Sequence, residues 1–226
     1  MATTTRRFPK AAVFVDAENH ADLDVSALMR QLRQFDVVER HAYADWRNQC
    51  LDHLSKRLNR RGFRMHHVWS GPRPGARKDT ADSHMARGIT EVLSRRPEIE
   101  VVVIVSGDAF FTGVARQLRE QGKQVVVASA PLRTSKELRS VADEYLLLGR
   151  LERSIWALDR LERASKHVTF RFAVRELGIR PFDLAELVRK GLVMQKEVSH
   201  PERGTRPEIY LNREAYAVQT VLGIAA

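Results

Sequence analysis

The sequence predicts an α/β chain: a doubly wound, mostly parallel sheet followed by a small α+β module. Two segments predict the sheet. Residues 11–15 (Ala-Ala-Val-Phe-Val) and 101–105 (Val-Val-Val-Ile-Val) are apolar runs rich in β-branched residues. Such runs read as strands buried on both faces. A third observation is the regular alternation of runs of this kind with amphipathic helical stretches, which implies βαβ units with helices on both faces of a sheet. The alternation stops at Gly149. The expected units are therefore residues 11–148 and 149–226.

The elements follow in order. After Asn19, a helix is expected to carry Leu28, Leu32 and Phe35 at near-helical spacing. Residues 37–44 read as the second strand, ended by Asp45 and Trp46. Leu51, Leu54 and Leu58 line a second helix that stops near Gly62, and residues 63–69 read as a third strand. Residues 70–78 are rich in Gly and Pro and read as a loop with three basic residues. A helix is expected from Asp82 to Leu93, with Asp79 as its cap. The strand before Ser106 leads to a helix carrying Phe111, Val114, Ala115 and Leu118, closed at Gly122. Residues 124–128, a helix over 136–142 and a short strand over 145–148 complete the first unit. In the second, helices are expected over 151–164, 170–177 and 182–191, then paired strands over 192–198 and 207–212. The loop between them, 199–206, carries basic residues near its tip. Three helices and a hairpin are the order of a winged helix-turn-helix.

Composition narrows the function classes. The chain has 226 residues and a single cysteine, Cys50, so neither a disulfide framework nor a Cys-based zinc site is expected. That usage fits a reducing cytoplasm. No apolar run approaches the roughly 20 residues that span a bilayer. Residues 1–10 lack an apolar core, so no secretory signal is expected there. The net charge of +10 lies mostly in the first 150 residues and favours an anionic partner, of which nucleic acid is the simplest. There is no Gly-x-x-x-x-Gly-Lys-Ser/Thr and no Gly-x-Gly-x-x-Gly, which argues against a phosphohydrolase or nucleotide binder at the same crevice.

The chemistry is expected at the strand ends. The first strand stops at Asp16, and the strand over 101–105 stops, through Ser106-Gly107, at Asp108. A parallel sheet brings such ends to one rim, where ligands and ions collect. Either Asp alone reads as a helix cap. The pair points to a divalent ion, because Mg²⁺ and Mn²⁺ prefer carboxylate and water oxygens. Asp45 is either a further rim ligand or a cap. His66 and His67 lie mid-strand and are not read as metal ligands; one of them is expected to be buried and neutral. Arg77 and Lys78 either hold a phosphate or are solvated loop cations. The stretch Lys56–Arg64 is either a phosphate track or a charged helix face. In the second unit Arg203, Arg206, Arg189 and Lys190 either contact phosphates or belong to a protein–protein or homodimer surface.

The first unit resembles the NYN family, a branch of the PIN-like nucleases, over roughly residues 11–148. The residues that carry the resemblance are Phe14-Val15-Asp16-Ala17-Glu18-Asn19, Ala42-Tyr43-Ala44-Asp45-Trp46, Ala81-Asp82 and Ser106-Gly107-Asp108 with Phe111, then Ser135, Leu138 and Ala142-Asp143-Glu144-Tyr145. The resemblance implies a doubly wound sheet, an acidic cluster binding Mg²⁺ or Mn²⁺, and hydrolysis of RNA phosphodiesters. Asp16, Asp82 and Asp108 match the motif acids, and Asn19 matches the polar residue after the first; Asn19 and Ser106 are expected near the substrate. Two departures stand out. Ala109 and Phe110 follow Asp108 where the family has a small residue and an Asp, and Gly88 stands where a further Asp is common. The expected function is a metal-dependent ribonuclease acting on RNA, DNA remaining open, with the C-terminal module delivering or selecting substrate. The alternative is a catalytically reduced nucleic-acid-binding regulator on the same fold.

Overall fold

The β-branched runs align as parallel strands because each is apolar on both faces and can be covered only by helices on both sides. The computed structural model describes residues 7–72, 79–130, 133–200 and 204–224. The chain divides after Leu148 into two compact units.

In the first unit, six strands run β1 (Lys10–Asp16), β2 (Asp36–Ala44), β3 (Arg64–His67), β4 (Val101–Val105), β5 (Gln124–Ser129) and β6 (Glu144–Leu147). Every pairing is parallel, in the spatial order β3-β2-β1-β4-β5-β6. The order reverses between β1 and β4, so their carboxyl ends flank the crevice where doubly wound sheets bind ligands. Dinucleotide-binding folds share this order, but here β1 leads into Asp16-Ala17-Glu18-Asn19 rather than a glycine turn.

Alternate residues of each strand feed two cores. Val13, Val15, Ala42, Val103 and Val105 pack on one face with α1 (Val25–Gln31) and α2 (Asp52–Arg60). Phe14, Tyr43, Val102, Ile104 and Val127 pack on the other with α3 (Asp79–Arg95), α4 (Phe111–Glu120) and α5 (Lys136–Val141). Asp24 caps α1 and Ser135 caps α5 by accepting from the third residue onward.

Several sequence expectations are corrected. The helix expected from Asp82 begins at Asp79, so Asp79 is its first residue rather than its cap. The third strand is four residues long, Arg64–His67, rather than seven. In the second unit α6 (Arg150–Ala164), α7 (Phe170–Leu177) and α8 (Pro181–Arg189) precede an antiparallel pair, β7 (Val193–His200) and β8 (Gly204–Leu211). The expected loop over 199–206 is in part ladder, since Ser199 pairs with Thr205 and Val198 with Arg206. A further helix, α9 (Tyr216–Leu222), closes the unit and was not expected; it buries Val218 and Val221 against Ile155, Leu158 and Leu211. Arg213 ties this unit together, its guanidinium reaching Asp159 at 2.7 Å and Glu162 at 2.7 Å.

Candidate functional site

Asp16 is the last residue of β1, and its side chain is buried at the rim. Its Oδ1 accepts from the Asn19 backbone N–H at 3.1 Å, and its Oδ2 accepts from the Ser106 hydroxyl at 3.1 Å. No cationic side chain among the described residues pairs with it. Burial pushes the Asp16 carboxyl up from 3.8 to about 6; the two hydrogen bonds oppose this, and the negative charges of Glu18 and Asp108 add to it.

The β4 end is built around the same residues. Asn19 Oδ1 accepts from the Gly107 N–H at 3.1 Å, so Asn19 staples the loop after β1 to the loop after β4. Ser106 Oγ also accepts from the Asp108 N–H at 3.2 Å. Asp108 is exposed, and its Oδ1 accepts from the Phe110 N–H at 2.8 Å, a local turn that opens α4. Gly107 is fixed by a close approach. A Cβ there would lie 2.0 Å from the Arg133 carbonyl oxygen, and the Ser135 N–H donates to the Gly107 carbonyl at 2.9 Å. Behind this rim His20 is buried against the Ser129 hydroxyl at 3.0 Å, and burial lowers its pKa to about 4, so it is neutral.

Asp45 stands one strand over, at the end of β2, and behaves in the opposite way. It is fully buried. The Arg47 guanidinium binds both its oxygens and the Ser70 hydroxyl donates to Oδ2 at 2.7 Å. The Arg47 guanidinium, more than the Ser70 bond, holds the Asp45 carboxyl well below the usual carboxylate range. Arg47 also lies 3.8 Å over the exposed Trp69 ring and donates to the Gly71 carbonyl. Asp45 is therefore neutralised by the chain itself. Glu18 links the two strand ends, its Oε1 accepting from the Asp45 N–H at 2.8 Å.

Of the expected acids, the structure brings Asp16 and Asp108 together, joined through Ser106. Asp82 is buried near the start of α3. Among the described residues no group of three or more His, Cys, Asp or Glu is gathered so as to hold a metal ion. Gly88 has a structural reason: a Cβ there would lie 2.0 Å from the Tyr43 hydroxyl oxygen, which fills the space an Asp would need. Phe110, at the position of the absent acid, exposes its ring and packs edge-on against Phe111.

Arg77, Lys78 and Arg203 lie outside the described residues. Arg206 is part of β8 and half-buried, its Nε shielded from solvent without a hydrogen-bond partner. Arg189 and Lys190 both bond Glu186, at 2.6 Å and 3.6 Å. Sequence reasoning passed over Glu18, whose alternation in Asp-Ala-Glu was the available signal, and over His20, for which there was none.

The NYN domain model matches residues 10–149. The crystal structure of a protein of unknown function from Vibrio parahaemolyticus is similar in fold, with a TM-score of 0.52 and 22% identity; the match covers 64% of this chain and 96% of that one. No curated protein matches. Among the described residues no helix is long and apolar enough to cross a membrane.

Proposed function

Since the chain belongs to the NYN domain family, whose members are generally nucleases, we propose that it is a metal-dependent ribonuclease working at the Asp16–Asp108 rim. The observation that carries this reading is the Asp16 carboxyl. It is buried, lacks a cationic partner among the described residues, and is held near pKa 6 by burial and by neighbouring negative charge. A carboxylate so placed gains most from a cation.

The donors suit Mg²⁺ or Mn²⁺ in kind, since carboxylate, hydroxyl and amide oxygens are hard ligands. They also suit it in number, because Mg²⁺ commonly takes one or two carboxylates and fills its octahedron with water and substrate phosphate. Asp16 and Asp108 would hold the ion, with Asp82 as a third carboxylate. Bound there, it would supply an acidified water and charge neutralisation at the phosphoryl oxygens. The chain does the rest. The Asn19 N–H and the Ser106 hydroxyl hold Asp16 in one orientation. Asn19 fixes the distance between the two rim loops. Phe110 offers an exposed ring beside Asp108 on which a base can stack. With Phe110 and Gly88 at usual acid positions, one ion fits this donor set better than two.

The net charge of +10 supports nucleic acid as the partner. The C-terminal unit, whose three helices and hairpin are in the order of a winged helix, is proposed to bind or select the substrate, with Arg203 and Arg206 as candidate phosphate contacts; a homodimer contact is the competing use of this unit. A cytoplasmic setting goes with the single cysteine. A second reading, a nucleic-acid-binding regulator with a reduced site, is favoured by the missing acids at Gly88 and Phe110.

One experiment separates them. Purified protein is incubated with labelled single-stranded RNA and DNA in Mn²⁺, Mg²⁺ or EDTA. Cleavage of RNA in either metal and none in EDTA is expected. RNA binding without cleavage under every condition supports the regulator.

A further inference from the structure

A second polar feature lies on the α3 face of the first unit. The parallel register pairs Phe14 with His41 and Tyr43 with His66. Their rings form one stack: Phe14–His41 at 5.2 Å, His41–His66 at 5.1 Å and His66–Tyr43 at 4.4 Å. Hydrogen bonds run along the same stack. Arg96 donates to Glu39 Oε1 at 2.9 Å, His41 Nε2 lies 3.1 Å from Glu39 Oε2, and His41 Nδ1 lies 2.9 Å from His66 Nε2.

These contacts fix both tautomers. Burial lowers the pKa of each imidazole, so both are neutral at pH 7. The Glu39 carboxylate only accepts, so His41 Nε2 carries the proton. His41 Nδ1 then accepts, and His66 Nε2 donates to it. His66 Nδ1 is left as a bare acceptor, with no partner among the described residues. The His66 residue lines an open cleft of about 390 Å³. The α3 wall of this cleft is His84, Arg87, Gly88, Glu91 and Arg95, one face of the helix. Gly88 lets the helix sit against the Tyr43 hydroxyl. Arg87 and Arg95 are exposed.

We propose that this cleft is a ribonucleotide subsite, with His66 Nδ1 accepting from a ribose 2′-hydroxyl and Arg87 and Arg95 taking the adjoining phosphates. The cleft offers acceptors, His66 Nδ1 and the Glu91 carboxylate, beside guanidinium donors, which is the complement of a nucleotide's hydroxyls, amines and phosphate. Its volume is that of a small-ligand site. The 2′-hydroxyl is the group by which RNA is told from DNA. Asp82 and Arg95 stand at the two ends of α3, about 20 Å apart at the helical rise, so a strand leaving the rim along the helix passes over the cleft. The choice of nucleic acid as ligand rests on the nuclease reading above.

The test uses the full chain in EDTA, where no cleavage complicates binding. Adenosine octamers of RNA and DNA are titrated by fluorescence anisotropy, and the His66 imidazole nitrogens are followed by NMR. The wild type is expected to prefer RNA by roughly three- to tenfold, the worth of one hydrogen bond, with the His66 Nδ1 resonance moving only for RNA. His66→Phe, which keeps the ring stack, should abolish the preference. Arg87→Ala with Arg95→Ala, both on exposed positions, should weaken RNA and DNA alike by about tenfold or more. An unmoved Nδ1 resonance with equal RNA and DNA affinity overturns the subsite, as does wild-type binding by the double-arginine variant. The nuclease reading is scored separately: cleavage in Mn²⁺ with a silent His66 leaves it standing and removes the subsite, whereas a moving His66 without cleavage does the reverse.

Discussion

Asp16 and Asp45 end neighbouring strands, point to the same rim and are both buried, yet the protein treats them in opposite ways. Asp45 is clasped by Arg47 and Ser70 and its carboxyl is pushed down. Among the described residues Asp16 has two neutral donors and no cation; it faces Glu18 and Asp108 and is pushed up to about 6. The difference separates two uses of a buried carboxylate. One whose charge is matched within the chain is a structural pin. One whose charge is left unmatched costs stability, and stands ready for a cation from outside.

The largest expected effect is on catalysis. Asp16→Asn or Asp108→Asn should lower RNA cleavage at least roughly a hundredfold, about 2.7 kcal/mol of barrier, with RNA binding changed only a few-fold. A quench assay with labelled single-stranded RNA checks this, and wild-type cleavage by either variant breaks the assignment.

Stability should move the other way, and with opposite signs at the two sites. At pH 7.5 Asp16→Asn is expected to stabilise the fold by up to about 3 kcal/mol, the worth of a carboxyl raised from 3.8 to about 6. Asp45→Asn is expected to destabilise it, because the Arg47 guanidinium loses its counter-charge. Urea melts of both variants measure the pair, and equal signs would erase the contrast.

The pH dependence sharpens it further. A folded-state pKa of about 6, above the ordinary 3.8, means that the Asp16 contribution is complete below pH 4 and lost as pH rises through 6. The gap between wild type and Asp16→Asn should therefore be near zero at about pH 4 and full above about 6.5. Asp45 is depressed, so its contribution is present above pH 4 and lost in stronger acid. Melts at a series of pH values test both directions.

The smallest effect concerns the second unit. Arg206→Ala should reduce the slope of log affinity against log salt by at most about one, one phosphate contact. An unchanged slope in fluorescence titrations puts β8 away from the backbone.

The sheet was legible because its strands are continuous apolar runs, and Asp16 and Asp108 were legible because each interrupts such a run at its end. What decided their behaviour was not. The role of Asp45 depends on Arg47, two residues on, folding back over it, and on Ser70 arriving from the segment after β3. The meaning of Gly88 depends on the Tyr43 hydroxyl beneath it, a contact between a helix and a strand 45 positions apart. The His41–His66 pair arises from parallel register, which no local pattern records. The hairpin strands were cut short because Arg206 and its neighbours read as a polar loop, whereas antiparallel pairing carries polar residues on its open face. Helix α9 escaped because seven residues give too little periodicity to stand out.

On the proposed reading, the rim around Asp16 takes an external cation and the rim around Asp45, already matched by Arg47, does not. Calorimetric titration of Mn²⁺ into wild type, Asp16→Asn and Asp45→Asn tests it most directly. Saturable one-to-one binding is expected for the wild type and for Asp45→Asn, with binding by Asp16→Asn lost or weakened at least roughly tenfold, 1.4 kcal/mol. Binding by Asp16→Asn equal to that of the wild type would contradict a cation site at Asp16.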